Sequence, residues 1–237
     1  MRDIASLFNS IAPTYDKLNH LLSLNIDKYW RSKSLKDCCL KWEKVLDVAC
    51  GTADFTLQIA QMGVPEVVGI DLSEAMVEIG KEKVKNANFQ KKVHLMKGDC
   101  AALPFPENSF DAVTVAFGVR NFAQRARSIN EMRRVLKPNG DLVILEFSTP
   151  KYFPIKQLYR FYFKRWLPFV GGIISGDKAA YHYLPESVYA FPQDEAFMQE
   201  LCEAGLQNVK QRRMTFGIAT VYYAKKIVKN EKIYPKF

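Results

Sequence analysis

The sequence of 237 residues contains no run of 18 or more apolar residues, which predicts that no helix spans a bilayer. Its opening stretch, MRDIASLFNSIAPTYD, has no apolar h-region and no small-residue cleavage site, so no signal peptide is expected. Histidine is scarce: His20, His94 and His182 stand far apart without metal-ligand spacing, and no metal site is expected. The five cysteines, Cys38, Cys39, Cys50, Cys100 and Cys202, are odd in number and form no C-x-x-C pair. That pattern predicts free thiols in a reducing, cytoplasmic setting. Internal repeats and low-complexity linkers are also missing. With 48% apolar residues, the chain reads as a single α/β domain over residues 1–237 with a sizeable core.

Glycine is short where it would matter most. Val45 to Cys50 is an apolar run of the kind that forms a strand buried on both faces, and it carries Asp47. It breaks at Gly51; a segment of helical periodicity through Phe55, Leu57 and Ile59 follows, and then a second apolar strand ending at Asp71. A dinucleotide site wants G-x-G-x-x-G, because a pyrophosphate must approach bare backbone. Here A-C-G-T-A-D has Gly51 alone, with Ala49 and Ala53 at the alternate positions. Asp71 lies 20 positions after Gly51, the spacing at which an acid at a strand tip reaches a ribose. Together these predict a nucleoside cofactor without phosphates, for which S-adenosylmethionine fits best; a plain turn with no ligand is the alternative.

The remainder reads as further α/β units. Ser73 is a candidate N-cap for the next helix. A short strand follows at Val93–Met96, and Asp99 sits at its tip on the edge where ligands collect. Asp99 could accept from an adenine amino group, and the Cys100 N–H could meet a ring nitrogen. Phe110 to Phe117 is another buried strand, followed by Gly118, which permits close backbone approach, and by Arg120. A basic helix is expected over 121–137, a fifth strand over 142–147, a helix over 197–204 and a closing hairpin over 206–225. Residues 1–43 form a helical arm that either covers a sheet edge or closes over the cofactor. Residues 150–192 interleave aromatics with Lys151, Lys156, Arg160, Lys164 and Arg165. This insertion suits a core helix, the headgroup level of a bilayer or single-stranded nucleic acid, and is the natural place for substrate selection. The net charge of +9 is open to the same readings.

Four motifs in order carry a family resemblance over about residues 5–225. Tyr15-Asp16-Lys17-Leu18-Asn19, then Leu22-Ser23, Asp27 and Trp30, resemble Y-D-x-M-N-x-x-L-S-x-x-x-H-x-x-W, with Leu18 for Met and Asp27 for His. Arg134 through Ser148 resembles R-V-L-K-P-G-G-x-x-x-x-L-E-x-S, with Asn139 for the first Gly; FGVRNF and ISGDKAAYHYLPES complete the set. These stretches are similar to those of the demethylmenaquinone and polyprenyl-benzoquinol C-methyltransferases, within the class I S-adenosylmethionine-dependent methyltransferases. The resemblance implies a Rossmann-like fold: seven strands, mostly parallel, with an antiparallel C-terminal hairpin and helices on both faces. It implies that Gly51, Thr52, Asp71, Asp99 and Cys100 bind S-adenosylmethionine. A serine contact of the family is replaced by Ala116. It also implies that Arg120 aids deprotonation of a quinol. A guanidinium is a poor base, so its better role is to stabilise a phenolate or position a water.

The implied reaction is C-methylation of a polyprenyl quinol, demethylmenaquinol first and a methoxybenzoquinol second. The expected partners are that quinol and the inner membrane surface, met peripherally, with room for a homodimer. Nucleic acid is not expected: the chain shows no appended RNA module and no catalytic-cysteine or N-P-P-Y-type motif, although its charge keeps an RNA-binding methyltransferase as an alternative.

Overall fold

The computed structural model describes residues 6, 8–13, 15, 16, 23, 25–36, 38, 41–162 and 178–227. Residues 8–13 are helical. Helix α1 (Ile26–Lys36) precedes β1 (Lys44–Val48), α2 (Asp54–Gln61), β2 (Glu66–Asp71), α3 (Glu74–Asn86) and β3 (Val93–Lys97). Then come β4 (Phe110–Ala116), α4 (Arg125–Val135), β5 (Leu136–Phe147), α5 (Ile155–Phe161), α6 (Lys178–Ala190), α7 (Glu195–Glu203), β6 (Gln207–Met214) and β7 (Ala219–Lys225).

The strands form one seven-stranded sheet in the order β3-β2-β1-β4-β5-β7-β6. The first five run parallel, and β7 is antiparallel to both β5 and β6. This is the expected mostly parallel sheet closed by a hairpin. Val45, Leu46 and Val48 of β1 are buried, as a central parallel strand covered on both faces requires. On one face, Trp30 and Leu35 of α1, Phe55 and Ile59 of α2 and Val84 of α3 pack together. On the other, Ile129 and Met132 of α4 and Phe197 and Leu201 of α7 do so. Because parallel strands share a direction, the turns after β1, β2, β3 and β4 collect at one edge.

Three expectations need correction. Five strands with crossover helices are expected, but residues 98–109, from β3 to β4, contain no α-helix. Two prolines and short turns fill that link. The helix expected over 121–137 starts at Arg125, after a 3₁₀ turn at Val119–Asn121, and ends at Val135. Strand β5 starts at Leu136, paired with Phe110, and the Lys137–Gly140 segment bulges before pairing resumes at Asp141 with Ala112. Lys226 Nζ holds that bulge by donating to the Leu136 carbonyl at 2.7 Å. Among the described residues, no helix is long and apolar enough to cross a membrane. The aromatic and basic residues over 163–177, with Lys164, Arg165 and Trp166, lie outside the described residues, as does the tail from 228.

Candidate functional site

The turn from β1 into α2 is built from left-handed backbone. Ala49 (φ 53°), Gly51 (φ 54°) and Ala53 (φ 67°) alternate through it, two of them non-glycine residues that bear steric strain there. A Cβ on Gly51 would meet nothing within 4 Å, so its glycine answers the positive φ and leaves open space beside the turn. At Gly118 the reverse holds: an added Cβ would lie 2.7 Å from the Cβ of Ala49. The close approach expected at Gly118 is therefore that of the neighbouring turn. Asp71 ties the turn down. Its carboxylate accepts from the Gly51 N–H and the Ser73 N–H, both at 2.8 Å. Burial raises its pKa, against the lowering effect of these backbone donors.

A cavity of about 200 Å³ opens at this edge of the sheet. Of the sequence-predicted residues, Gly51, Asp71, Asp99 and Cys100 line it, beside Ala116. The Asp99 carboxylate accepts from the Ala101 N–H at 2.8 Å. The Cys100 thiol lies 3.2 Å from the Ser128 hydroxyl, and burial pushes its pKa up to about 11, so it stays protonated at neutral pH. The polar wall thus holds two carboxylates, and among the described residues no lysine or arginine lines it.

Thr52 is buried but does not line the cavity. Its hydroxyl donates to Asp16 at 2.5 Å, and Lys83 of α3 donates to the other Asp16 oxygen at 2.8 Å and also to Asp54. The N-terminal arm thereby lies over the site. Phe8 and Tyr15 form an edge-to-face pair and line the cavity, and Asn9 accepts from the Ser73 hydroxyl at 2.6 Å. The Ser73 hydroxyl also accepts from Met76 N–H, the N-cap bond expected of it. The two roles weighed for the arm are divided: residues 8–13, 15 and 16 lie over the cavity, while α1 packs Trp30 and Leu35 on the sheet. Asp27 pairs with Arg31 one turn on and accepts from Ser23 at 2.6 Å; Arg31 sits 5.4 Å over the Phe117 ring.

Arg120 lies beside the cavity-lining residues Gly118 and Asn121 but is not in the wall itself. Its Nη1 donates to Glu146 at 2.8 Å and to the Phe117 carbonyl, and its Nε donates to Ser187 of α6 at 3.2 Å. The side chains of this pair are 6% and 0% exposed. Tyr183 of α6 donates to Asn121 at 2.9 Å, so α6 roofs this end of the site.

Two residues without an assigned part in the sequence reading underlie the site. Glu146 is one. Asp47 is the other: it accepts from Thr56 at 2.6 Å and Thr114 at 2.7 Å, and its burial pushes its pKa up to about 6. An acid inside VLDVAC was the available signal, since an apolar strand keeps a carboxyl only if partners meet it.

A wall whose described residues include two carboxylates and no cation suits a nucleoside that carries positive charge and no phosphate, and disfavours a dinucleotide. The fold agrees with that of a Thermotoga maritima S-adenosylmethionine-dependent methyltransferase, with a TM-score of 0.68 at 17% identity over 94% of this chain and all of the other. It also matches Haemonchus contortus phosphoethanolamine N-methyltransferase 2, solved with S-adenosyl-L-methionine, with a TM-score of 0.59 at 15% identity over 78% of this chain and 49% of the other. The architecture is that of the class I S-adenosylmethionine-dependent methyltransferases.

Sequence comparison narrows the class. Residues 1–226 match the ubiE/COQ5 methyltransferase family, and the chain belongs to it. The Geobacter sulfurreducens ubiquinone/menaquinone biosynthesis C-methyltransferase UbiE is 46% identical over 231 residues, 95% of this chain and 89% of that protein. The Bacteroides fragilis demethylmenaquinone methyltransferase is 44% identical over 230 residues, 94% and 92% of the two chains.

Proposed function

We propose that this protein is an S-adenosylmethionine-dependent C-methyltransferase acting on the ring of a polyprenyl quinol, with demethylmenaquinol as its substrate. The observation that carries the reading is a cavity whose described wall holds two carboxylates and no cation, in a chain 44–46% identical to quinone methyltransferases. When bound, S-adenosylmethionine supplies an electrophilic methyl group on a sulfonium. Asp71, its carboxylate anchored by the Gly51 and Ser73 N–H groups, would hold the ribose hydroxyls. Asp99 and the Cys100 backbone hold the adenine edge, and the neutral Cys100 thiol adds no competing charge. Thr52 contributes by fixing Asp16, and with it the arm that excludes water.

Arg120 acts on the quinol. Its Nη2 has no hydrogen-bond partner among the described residues, while Nη1 and Nε are held by Glu146, Phe117 and Ser187. A pre-positioned donor of this kind stabilises the phenolate that makes the neighbouring ring carbon nucleophilic. The pairing of Arg120 in the fold means that Arg120→Ala disturbs stability as well as chemistry, so Arg120→Lys is the cleaner kinetic probe. The quinol's tail is met at a membrane surface by the aromatic, basic region 150–192.

Purified enzyme with methyl-labelled cofactor and either naphthoquinol or benzoquinol tests the reading. Methylation of the naphthoquinol ring, with the larger kcat/KM, is expected. Label in neither ring refutes it, and preference for benzoquinol moves the substrate to the ubiquinone series. Salt-sensitive RNA binding with label in RNA would support the alternative class.

A further inference from the structure

The described residues leave one cluster of large apolar side chains in water. Tyr152 (79% exposed), Phe153 (80%), Leu158 (62%) and Phe161 (65%) come from α5 and the segment before it, and Phe216 (76%) comes from the turn between β6 and β7. These two stretches are distant in sequence and adjacent in the fold. Ile218 packs with Tyr159 and Val188. Ser148 joins the same place, its N–H donating to the Ile218 carbonyl and its hydroxyl to the Gly217 carbonyl, both at 2.9 Å.

Phe216 is the telling residue. It sits in left-handed backbone (φ 56°, ψ 18°), after Thr215 at φ 46° and before Gly217 at φ 90°. A bulky residue there is strained relative to glycine, yet its ring packs little surface in return. The fold gains nothing from that placement, which points outside the fold for its use. The position of the turn supplies the context. Ala219 pairs with Phe147, so the turn lies at the carboxyl end of β5, on the sheet edge that also carries Gly51 and Asp71. The apolar cluster and the cavity therefore open at one edge.

Charge selects the occupant. Between Glu146 and Asp177 the sequence has five lysines and arginines and no acid. Lys156 and Arg160 are exposed on α5 among the apolar residues, and Lys151 is half exposed while pairing with Asp194 at 2.8 Å. Aromatic and aliphatic side chains flanked by cations match the headgroup level of an anionic bilayer.

We propose that α5 and the β6–β7 turn form a docking face for an anionic lipid bilayer, entered by Phe161, Leu158 and Phe216. The face hands a lipid-borne quinol to the cavity without crossing the membrane, and in this it rests on the quinol reading above.

The test uses full-length protein and vesicles of phosphatidylcholine with or without phosphatidylglycerol. The parent should co-sediment with the anionic vesicles. The Phe216→Gly/Phe161→Ser double variant should lose about tenfold or more in partition coefficient. Glycine relieves the left-handed backbone, so this variant keeps its fold, checked by its melting curve. Its turnover of a tail-less naphthoquinol in solution should be unchanged. Lys156→Glu/Arg160→Glu should weaken binding to anionic vesicles and not to neutral ones. Unchanged partition of both variants overturns the proposal. So does a loss of self-association by the double variant in sedimentation velocity with no change in partition, which would make the face a subunit interface. If the parent binds vesicles and methylates neither quinol, the face stands and the substrate reading falls. If it methylates quinol without binding vesicles, the face falls alone.

Discussion

Replacing Glu146 by alanine should remove more stability than any single change in the cavity wall, and the structure says how much. Glu146 is fully buried and takes three donors: Arg120 Nη1 at 2.8 Å, the Phe147 N–H at 2.8 Å and the Arg120 N–H at 3.2 Å. Alanine leaves a buried guanidinium without its counter-charge, which costs on the order of 3–5 kcal/mol. For a chain of this size each kcal/mol moves the melting temperature by roughly 2–4 °C, so a fall of about 6–20 °C is expected. Glutamine is the graded control. It removes the counter-charge as alanine does but keeps part of the hydrogen bonding: its carbonyl oxygen can replace the oxygen that serves Arg120 Nη1 and Phe147, while its amide then faces the Arg120 N–H and leaves that donor unmet. Arg120→Met/Glu146→Leu removes both charges at similar volume and should be more stable than Glu146→Ala alone. Urea unfolding followed by circular dichroism measures all three. Alanine and glutamine costing the same would show that the lost charge, not the lost hydrogen bonds, sets the loss; the double variant losing the sum of the single losses would refute the argument that charge pairing holds this corner. The double variant also separates fold from chemistry: stable and inactive, it would leave Arg120 its role toward the quinol.

Other outcomes follow from the same geometry. Asp47, at about 6 in the folded chain against an ordinary 3.8, keeps a proton that the unfolded chain has already released between those values. Stability therefore falls as pH rises through that window, by roughly 3 kcal/mol, and Asp47→Asn should abolish this component; parallel urea midpoints for parent and variant from pH 4 to 7 would contradict it. Asp71→Asn halves the acceptor capacity shared among Gly51, Ser73 and the ribose, so S-adenosylmethionine affinity should drop about 10- to 100-fold by calorimetry, with an unchanged titration removing Asp71 from the site. Lys83→Ala breaks two ion pairs that are about a quarter exposed, worth roughly 0.2–1 kcal/mol each. Stopped-flow release of S-adenosylhomocysteine should quicken about two- to thirtyfold at low salt, and the difference should shrink as salt rises; equal, salt-independent rates would mean the arm does not gate the cavity.

How much of this was legible in the sequence depended on whether the signal was local. VLDVAC, VVGID and FDAVTVAF are predominantly apolar runs, and the structure buries most of them as the central strands β1, β2 and β4. The tips of such strands must gather at one edge, which brings Asp71 and Asp99 to one cavity. What escaped depends on partners far along the chain. The family resemblance implies Thr52 as a cofactor residue; the partner of its hydroxyl, Asp16, lies 36 positions away and could not be read locally. Glu146 meets Arg120 across 26 positions and Asp47 meets Thr114 across 67. Periodicity records which face a residue occupies and is silent on which polar group waits there. The link from β3 to β4 was missed for a different reason: a crossover needs length, and the 12 residues from Gly98 to Ser109 supply it without a helix.

The placement of Glu146 also bears on the charge of the site. An unpaired guanidinium beside Gly118 and Asn121 would oppose a sulfonium brought to the two carboxylates of the wall, since low local dielectric strengthens repulsion as much as attraction. Paired with Glu146, Arg120 offers directed N–H donors with its net charge cancelled at the site's edge. The cavity keeps the negative character set by Asp71 and Asp99, and on the proposed reading the donor for an oxygen that becomes anionic stands beside the wall, at Arg120. A cationic cofactor and an acidifying quinol place opposite demands on one small volume. A buried ion pair next to a cation-free wall meets both, because it separates the donor function of arginine from its charge.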